Sequence, residues 1–156
     1  MMACSTDLTI GVVSGIVASV IVLAVGALWV RCAAWRRWRR FTGIYVAVRK
    51  QDDSEQPAGE KRVTYSFWTR RLDFEGSVIK KSGSPGGRVK GHLVLNPDVP
   101  NLGMGHYIHT DDHGVATNQS GYYQVQLADD DRILISRTYY AKSKEHHEGF
   151  VWTRKK

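Results

Sequence analysis

The densest group of side chains that could bind a metal ion lies in the segment HYIHTDDH, residues 106–113. Imidazole nitrogens and carboxylate oxygens are good zinc ligands, and the segment holds five such residues: His106, His109, Asp111, Asp112 and His113. On a strand, His106 and His109 point to opposite faces because their separation is odd. The spacing therefore predicts a polar strand end that leads into an Asp-rich turn, and we expect neither a metal site nor another cofactor.

Residues 42–156 lack the parts of a nucleophilic catalyst. They contain no cysteine, no GxSxG motif and no pair of carboxylates in an apolar setting. The glycine-rich segment SGSPGGRVKG, residues 82–91, has neither the Lys-Ser/Thr pair nor the following helix of a phosphate loop. We therefore expect a protein that is not an enzyme.

Two segments place polar side chains on a face that is otherwise apolar. In RILISRTYY, residues 132–140, Arg137 and Tyr139 share their face with two isoleucines. In MGHYIHT, residues 104–110, His106 shares its face with a methionine and an isoleucine. If these faces point inward, Arg137, Tyr139 and His106 line the interior of the domain or its mouth and form a candidate ligand-binding site.

A buried arginine is unfavourable unless an anion accompanies it. That anion would be either a protein carboxylate, such as Asp73 or Glu75, or a phosphate group of a bound ligand, whose geometry a guanidinium matches well. In the second case the neighbouring aromatic rings could stack on bases. Both interpretations need the inward register, because the opposite register would bury a different set: Leu134, Ser136, Thr138 and Tyr140.

The elements that must position these side chains are β-strands. Alternating segments rich in β-branched and aromatic residues, separated by turn signals, predict about eight short strands over residues 42–50, 62–68, 71–81, 87–95, 104–110, 121–128, 132–140 and 149–155. The polar run QDDSEQPAGEK, residues 51–61, is expected to be a loop. An antiparallel up-and-down β-barrel of about eight strands removes the exposed sheet edges, and a two-sheet β-sandwich is the alternative.

Residues 8–30 contain no ionisable side chain over 23 positions. A helix of this length covers roughly 34 Å, enough to cross a hydrocarbon core of about 30 Å. A cleavable signal peptide is the alternative, but residues 1–7 carry only an aspartate where such a peptide needs a basic segment. The pattern predicts a retained transmembrane helix over residues 8–30, preceded by an extracytoplasmic segment, residues 1–7.

A basic and aromatic segment, residues 31–41, follows the predicted transmembrane helix. Positive charge next to such a helix stays in the cytoplasm, so we expect a single-pass protein with its N-terminus outside and residues 42–156 in the cytoplasm. Arginines and tryptophans suit the headgroup region, and the predicted membrane-interface residues are Arg31, Trp35, Arg36, Arg37, Trp38, Arg39 and Arg40. The run could also be a topology signal alone.

The remaining domain has little excess charge. Residues 41–156 hold 17 basic and 14 acidic residues, a net charge of +3. The basic character of the whole chain therefore comes largely from the juxtamembrane segment, which contacts anionic lipid headgroups, and a DNA or RNA polymer is not an expected partner.

Small residues recur every fourth position along the predicted transmembrane helix, at Gly11, Gly15 and Ser19. Close backbone approach at small residues drives helix association in lipid. The stripe predicts a homo-oligomer, and a monomeric tether is the alternative.

Three short motifs carry a resemblance to a known family: FTGIY at residues 41–45, GHLVL at 91–95 and EGFVWTRK at 148–155. With the N-terminal anchor, they resemble the lipocalin-like barrels of the membrane effectors of bacterial cyclic-oligonucleotide antiviral (CBASS-type) systems. The resemblance implies a barrel that senses a cyclic nucleotide, and an oligomerising segment that damages the cell inner membrane in antiphage defence. Such effectors usually carry two transmembrane helices, whereas this chain has one.

Two classes of function follow. The first is a signal-gated effector, in which a small anionic ligand such as a cyclic nucleotide binds the barrel and controls oligomerisation of the membrane segment. The second is a membrane-tethered adaptor, whose barrel surface recruits a protein partner without any ligand.

Overall fold

The computed structural model describes residues 3–51, 54–96, 99, 101–111, 113–141 and 144–155. A long helix, α1, spans Ala3–Trp38 and continues into a short 3-10 helix, Arg39–Phe41. Eight strands follow: β1 Gly43–Gln51, β2 Ser54–Ser66, β3 Arg71–Ile79, β4 Pro85–Leu95, β5 Leu102–Thr110, β6 Ala116–Leu127, β7 Ile133–Ala141 and β8 Lys144–Arg154.

The strands form a closed antiparallel barrel in sequence order. Each strand pairs with its neighbours in the chain, and β1 closes the sheet against β8 from Tyr45↔Arg154 to Lys50↔Gly149. Closure pairs backbone groups that edge strands would leave open. The predicted eight-stranded barrel is therefore confirmed, and the alternative sandwich is excluded.

Three strands begin well before their predicted positions: β2 at Ser54, β6 at Ala116 and β8 at Lys144. The prediction of a loop over residues 51–61 was therefore wrong for residues 54–61, which belong to β2, and residues 52 and 53 lie outside the described residues. The strand continues through Pro57 since this proline lies beside a shift in register, at which Ala58 is the extra residue opposite β1. Prolines are tolerated in sheets at such bulges. The extension matters for the site, because it places Lys61 in the barrel wall.

The two ends of the barrel differ in what lies next to them. The proximal end is the one that α1 enters, together with the β2–β3, β4–β5 and β6–β7 connections. The distal end carries the β1–β2, β3–β4, β5–β6 and β7–β8 connections. Alternation along each strand sends every second side chain into the interior between these ends.

Aromatic rings fill the middle of the interior. Phe74 stacks on Tyr123 with 5.5 Å between ring centroids and meets Trp152 edge-on at 5.3 Å. Tyr107 stacks on Tyr123 from the other side at 4.7 Å. Each such ring removes a large apolar area from water, worth about 1.5–3 kcal/mol for a fully buried side chain. The middle of the barrel is thus a packed core rather than an open ligand cavity.

The end of the helical segment closes the proximal end. Trp38 and Phe41 lie in the barrel core with 6% and 0% of their surface exposed, and their ring centroids are 6.3 Å apart. Arg154 at the end of β8 holds this segment in place, since its Nη2 donates to the carbonyl of Thr42 at 2.6 Å. The helix therefore joins the barrel as a plug rather than through a free linker.

Among the described residues, α1 is the one helix long and apolar enough to cross a membrane, and the candidate span is Val12–Phe41. The described side chains of this span up to residue 30 are exposed, since none of them packs on the barrel core. The helix runs without a break through residue 30, so the predicted boundary between residues 8–30 and 31–41 is not a boundary in secondary structure.

Candidate anion site in the barrel interior

The distal part of the interior is lined by cationic side chains. Arg49 on β1, Lys61 on β2 and Arg137 on β7 take inward positions that alternate with outward ones along their strands. Arg49 and Lys61 are only 6% and 4% exposed. We call these three residues the cation cluster.

One largely buried carboxylate faces the cation cluster. Glu148 on β8 is the cross-strand partner of Arg137, and its Oε2 lies 3.2 Å from Arg137 Nη2. Its Oε1 lies 3.9 Å from Arg49 Nε and 3.4 Å from Nζ of Lys81, an exposed side chain at the rim. Glu148 thus bridges two members of the cluster and reaches the distal surface.

The protein carboxylate that meets Arg137 is not one of those named from the sequence. Asp73 pairs instead with Arg71, at 2.7 Å from Nε to Oδ1, and Glu75 forms no salt bridge to Arg137 among the described residues. The structural ion pair exists, but its partner is Glu148. Sequence spacing could not identify it, because β7 and β8 become neighbours only through the hairpin register.

Three cations face a single largely buried carboxylate, so the site is not neutralised by the protein. Nε and Nη1 of Arg49 and Nε of Arg137 are buried and have no hydrogen-bond partner among the described residues. Arg49 Nη2 donates a long hydrogen bond to the carbonyl of Ile79 at 3.5 Å. Buried charges and unpaired donors are unfavourable by several kcal/mol unless an anion compensates them. The arrangement is therefore suited to an additional anion.

The surroundings of Lys61 change the pKa of its side-chain amine. Its Nζ donates to the backbone carbonyl of Ser77 on β3. Burial, and secondarily the positive charge of Arg137, lowers the pKa of Lys61 to about 8. The amine therefore gains or loses its proton near neutral pH, where an added anion would favour the charged form.

Aromatic rings surround the guanidinium of Arg137. Its Cζ lies 4.2 Å from the ring centroid of Tyr139 and 5.3 Å from that of Tyr107. Such cation–π contacts stabilise a guanidinium where water is excluded. The hydroxyl of Tyr107 is buried without a hydrogen-bond partner among the described residues, and burial raises the pKa of both Tyr107 and Tyr123. The tyrosines are therefore neutral donors beside the cation cluster.

The space between these groups is small. The cavity has a volume of about 20 Å³, and its lining includes the cation cluster, His109 and Tyr123. Nε2 of His109 lies 2.6 Å from the carbonyl oxygen of Gly86. A cavity of this size holds one water-sized particle. A phosphate group is larger than this space and would have to lie outside it, towards the distal rim.

Two of the three predicted ligand-binding residues lie together, and the third does not. Arg137 and Tyr139 both face inward at the distal end. The inward placement of His106 was wrong, because it lies on the outer wall between the rings of His92 and Tyr122.

The register of β5 explains the error over His106. The inward positions of this strand include Gly105 and Tyr107, whereas the apolar Met104 is 61% exposed. A side chain at Gly105 would collide with the backbone carbonyl of His92 and with Leu93, so this position needs a glycine. Because β5 carries apolar residues on its outer face as well, the sequence did not show which face is inside.

Sequence reasoning missed Arg49, Lys61 and Glu148, and it considered His109 only as a metal ligand. Both faces of β1 are apolar in sequence, so nothing indicated that Arg49 faces inward. Lys61 fell in the segment predicted to be a loop. A usable signal was the strand period of β8, on which Glu148 shares its face with Phe150 and Trp152, both buried.

The candidate metal ligands do not converge. Among the described residues, no group of three His, Cys, Asp or Glu side chains is placed to hold a metal ion. Asp111 instead accepts hydrogen bonds from the backbone N–H groups of His113 and Val115, each at 2.9 Å, which makes it a turn residue. Asp112 lies outside the described residues.

The predicted membrane-interface residues lie in different surroundings, and one of them is buried. Trp38 was wrongly predicted there, since it lies in the barrel core as part of the plug. Four arginines contact aromatic rings: Arg31 that of Trp68 at 5.3 Å, Arg37 that of Trp38 at 4.6 Å, Arg39 that of Trp35 at 4.6 Å, and Arg40 that of Phe41 at 4.8 Å. Arg36 is exposed, and Arg40 lies 3.9 Å from Asp131.

The predicted helix-association stripe is open where it is described. A side chain added at Gly15 would meet no atom within 4 Å, and Ser19 Oγ donates to the carbonyl of Gly15 at 2.8 Å. The surroundings of Gly11 lie outside the described residues. Association of the helix through this stripe stays a prediction.

Comparison with known proteins bears on the fold alone. No protein-family model matches the chain, and no curated protein matches it in sequence. A solved structure described as a redesigned beta barrel is similar, with a TM-score of 0.54 and 15% sequence identity. The match covers 77% of this chain and 96% of the redesigned barrel. The likeness agrees with the barrel architecture.

Proposed function

We propose that the protein is a membrane-anchored sensor whose barrel binds a small anionic ligand at the distal end. The observation that carries the proposal is the imbalance of the cation cluster against Glu148, with buried guanidinium N–H groups that lack partners among the described residues. Two uncompensated cations beside an apolar core destabilise the fold. A ligand anion supplies the missing negative charge and accepts the free hydrogen bonds.

The ligand class follows from the rim as well as from the cavity. The enclosed space takes only a particle of about water size, so a phosphate would sit above it, near Lys81 and Arg137. Tyr139 and His146 stack at this rim with 5.1 Å between ring centroids and an angle of 18°. A base could stack on this pair. Together with the resemblance in sequence, this favours a cyclic nucleotide.

The effector role is the second part of the proposal. α1 anchors the protein in the cell inner membrane, with the N-terminus outside and the barrel in the cytoplasm, because the arginines follow the apolar segment. The plug of Trp38 and Phe41 connects the barrel rigidly to α1, so a change in the barrel reaches the helix. Ligand binding then controls homo-oligomerisation of α1 in antiphage defence, without enzymatic turnover.

A thermal melt of the full-length protein in nanodiscs tests ligand binding. Cyclic di-, tri- and tetranucleotides, inorganic phosphate and chloride form the ligand panel. A ligand at 100 times its Kd stabilises the native state by about 2.7 kcal/mol. Arg137→Ala is expected to abolish the shift, whereas Arg62→Ala, which removes an exposed arginine from β2, should leave it intact.

If no anion in the panel shifts the melting temperature of the wild-type protein, the cation cluster is a structural device and the sensor proposal fails. If chloride alone acts, the site is an inorganic anion site and the cyclic nucleotide is excluded as its ligand.

The adaptor function remains a second candidate because side chains nearly fill the barrel interior, while the outer surface of the barrel carries a large groove. A groove of about 940 Å³ crosses the outside of β4–β8, and its apolar lining includes Val94, Leu102 and Met104. Met104→Glu should abolish partner capture if the adaptor function is correct and leave anion binding unchanged. Loss of anion binding in this variant would contradict the separation of the two surfaces.

A further inference from the structure

The β2–β3 turn, residues 67–70, lies beside the end of α1. A cleft of about 420 Å³ separates them, lined on the helix side by Val30 and Ala34 and on the barrel side by Thr69, Arg70 and Val94. The guanidinium of Arg31 lies 5.3 Å from the ring centroid of Trp68 in this turn. The turn is therefore level with the first arginine after the apolar segment.

That level corresponds to the boundary between hydrocarbon and headgroups. If residues 8–30 cross the bilayer, Arg31 follows directly and each further residue rises by only about 1.5 Å. Trp68 and the end of β4 lie beside these first residues of the basic segment. They cannot lie far from the membrane surface while α1 and the barrel keep this arrangement.

The chemistry of the turn suits this depth. Trp68 is 73% exposed, and Val94 on the neighbouring wall is also exposed. An exposed tryptophan is favoured at headgroup depth, where its ring is solvated by the interface and its N–H meets polar groups. Arg70, next to it, is exposed and adds positive charge to that of Arg31. An anionic lipid surface complements both the aromatic and the cationic groups.

We propose that the β2–β3 turn is a second membrane contact, in which Trp68 inserts into the headgroup region of an anionic bilayer. The inference rests on the proposed membrane anchor. It fixes the orientation of the barrel, because one side of the proximal end then rests on the bilayer instead of projecting freely on α1. The distal rim with the cation cluster points away from the membrane and faces the solvent.

Site-specific fluorescence in nanodiscs tests this contact. The full-length protein, with Cys4→Ser and Cys32→Ser, carries one environment-sensitive label at Thr69→Cys in the turn, at Val20→Cys in the helix, or at Ser82→Cys in the distal turn. The discs contain phosphatidylcholine alone or with phosphatidylglycerol, and they carry no quencher, a spin-label quencher near the headgroups to test positions 69 and 82, or one near the end of an acyl chain to test position 20.

We expect the label at position 69 to be blue-shifted and at least twofold more quenched than that at position 82, and more so with phosphatidylglycerol. In the Trp68→Ser variant, the blue shift and quenching of the label at position 69 should fall to the values seen at position 82. The melting temperature of this variant should match that of the labelled parent. Because the label could insert by itself, the comparison between the labelled parent and its Trp68→Ser variant decides the result.

The three labels separate the two possible failures. A label at position 20 that is not quenched by lipid shows that the anchor proposal itself is wrong. With position 20 quenched, a label at position 69 that behaves like position 82 overturns the second contact alone. A signal at position 69 that depends on the number of protein copies per disc, and not on lipid quenchers, assigns the turn to a second copy and also overturns the proposal.

Discussion

The interior of the barrel is filled by different kinds of side chain at its two ends. At the proximal end, Trp38 and Phe41 fill the interior with apolar surface, and backbone carbonyls of the same segment accept hydrogen bonds from Arg154 and Tyr45. At the distal end, the interior ends in the cation cluster and a single carboxylate. Apolar packing needs no partner from outside, whereas uncompensated charge does. The proximal end is built for stability, and the distal end is suited to binding.

The largest loss of stability is expected from a substitution at the proximal end. Phe41→Ala removes a fully buried ring from the plug and leaves a cavity, so it should destabilise the protein by about 3–5 kcal/mol. Chemical denaturation of the full-length protein in detergent measures the change. Trp35→Ala is the matched control, since this ring is partly exposed and lies outside the core cluster. Equal effects of the two variants would show that the plug does not stabilise the barrel.

The next effect addresses the distal end. Glu148→Gln removes the carboxylate and leaves the buried cations without a protein anion, which should destabilise the fold by about 3 kcal/mol. Added phosphate or chloride should recover part of that loss, measured as a rise in denaturation midpoint above that of the wild type under the same salt. A second variant, Glu148→Gln with Arg137→Met, should recover stability without salt. No recovery in either test would contradict the electrostatic account.

The third effect is a pH dependence that only the distal end should show. The pKa of Lys61 is about 8 in the folded state and 10.5 when unperturbed, so between these values the unfolded state binds more protons. Stability should therefore rise with pH from about 8 towards 10.5, by at most about 2 kcal/mol between pH 7.5 and 9.5. The raised pKa values of Tyr45 and Tyr107 act in the opposite direction and only above about pH 10, because unfolded tyrosines then release protons that folded ones retain, which lowers stability there.

Lys61→Met isolates this contribution. The variant should show a flat profile between pH 7.5 and 9.5 in equilibrium denaturation. Lys155→Met, which removes an exposed lysine paired with Glu60, is the control and should keep the wild-type slope. A rising profile in Lys61→Met would assign the dependence to another group.

The difference between the ends also explains what could be predicted from sequence. The strands follow from alternation, which is a local property of each strand, and β7 shows it plainly with Ile133, Ile135 and Arg137 on one face. The long apolar helix is equally local, since an uncharged stretch of residues is visible without any structure. These features were predicted correctly because they do not depend on which strands become neighbours.

The candidate site depends on that neighbourhood, so only part of it was predicted. Glu148 meets Arg137 through the register of the β7–β8 hairpin, and Lys61 joins them from β2, which lies one strand beyond the β1–β8 closure. His106 was misplaced because apolar side chains occur on both faces of β5, and steric exclusion at Gly105 decides which face is inside. Trp38 was misplaced since its burial depends on how α1 enters the barrel.

The smallest expected effect tests whether charge matters at the proximal end. Arg40 and Asp131 form an ion pair there at 3.9 Å, with side chains that are 44% and 40% exposed. Exposed pairs contribute little, because water and salt screen them. Asp131 has a φ of 61°, which asparagine also tolerates, so Asp131→Asn removes the charge without straining the backbone. We expect a change in unfolding free energy below about 0.5 kcal/mol, measured by denaturation at low salt. A loss as large as that of Glu148→Gln would show that charge stabilises both ends alike, and the contrast between an apolar end and an ionic end would not hold.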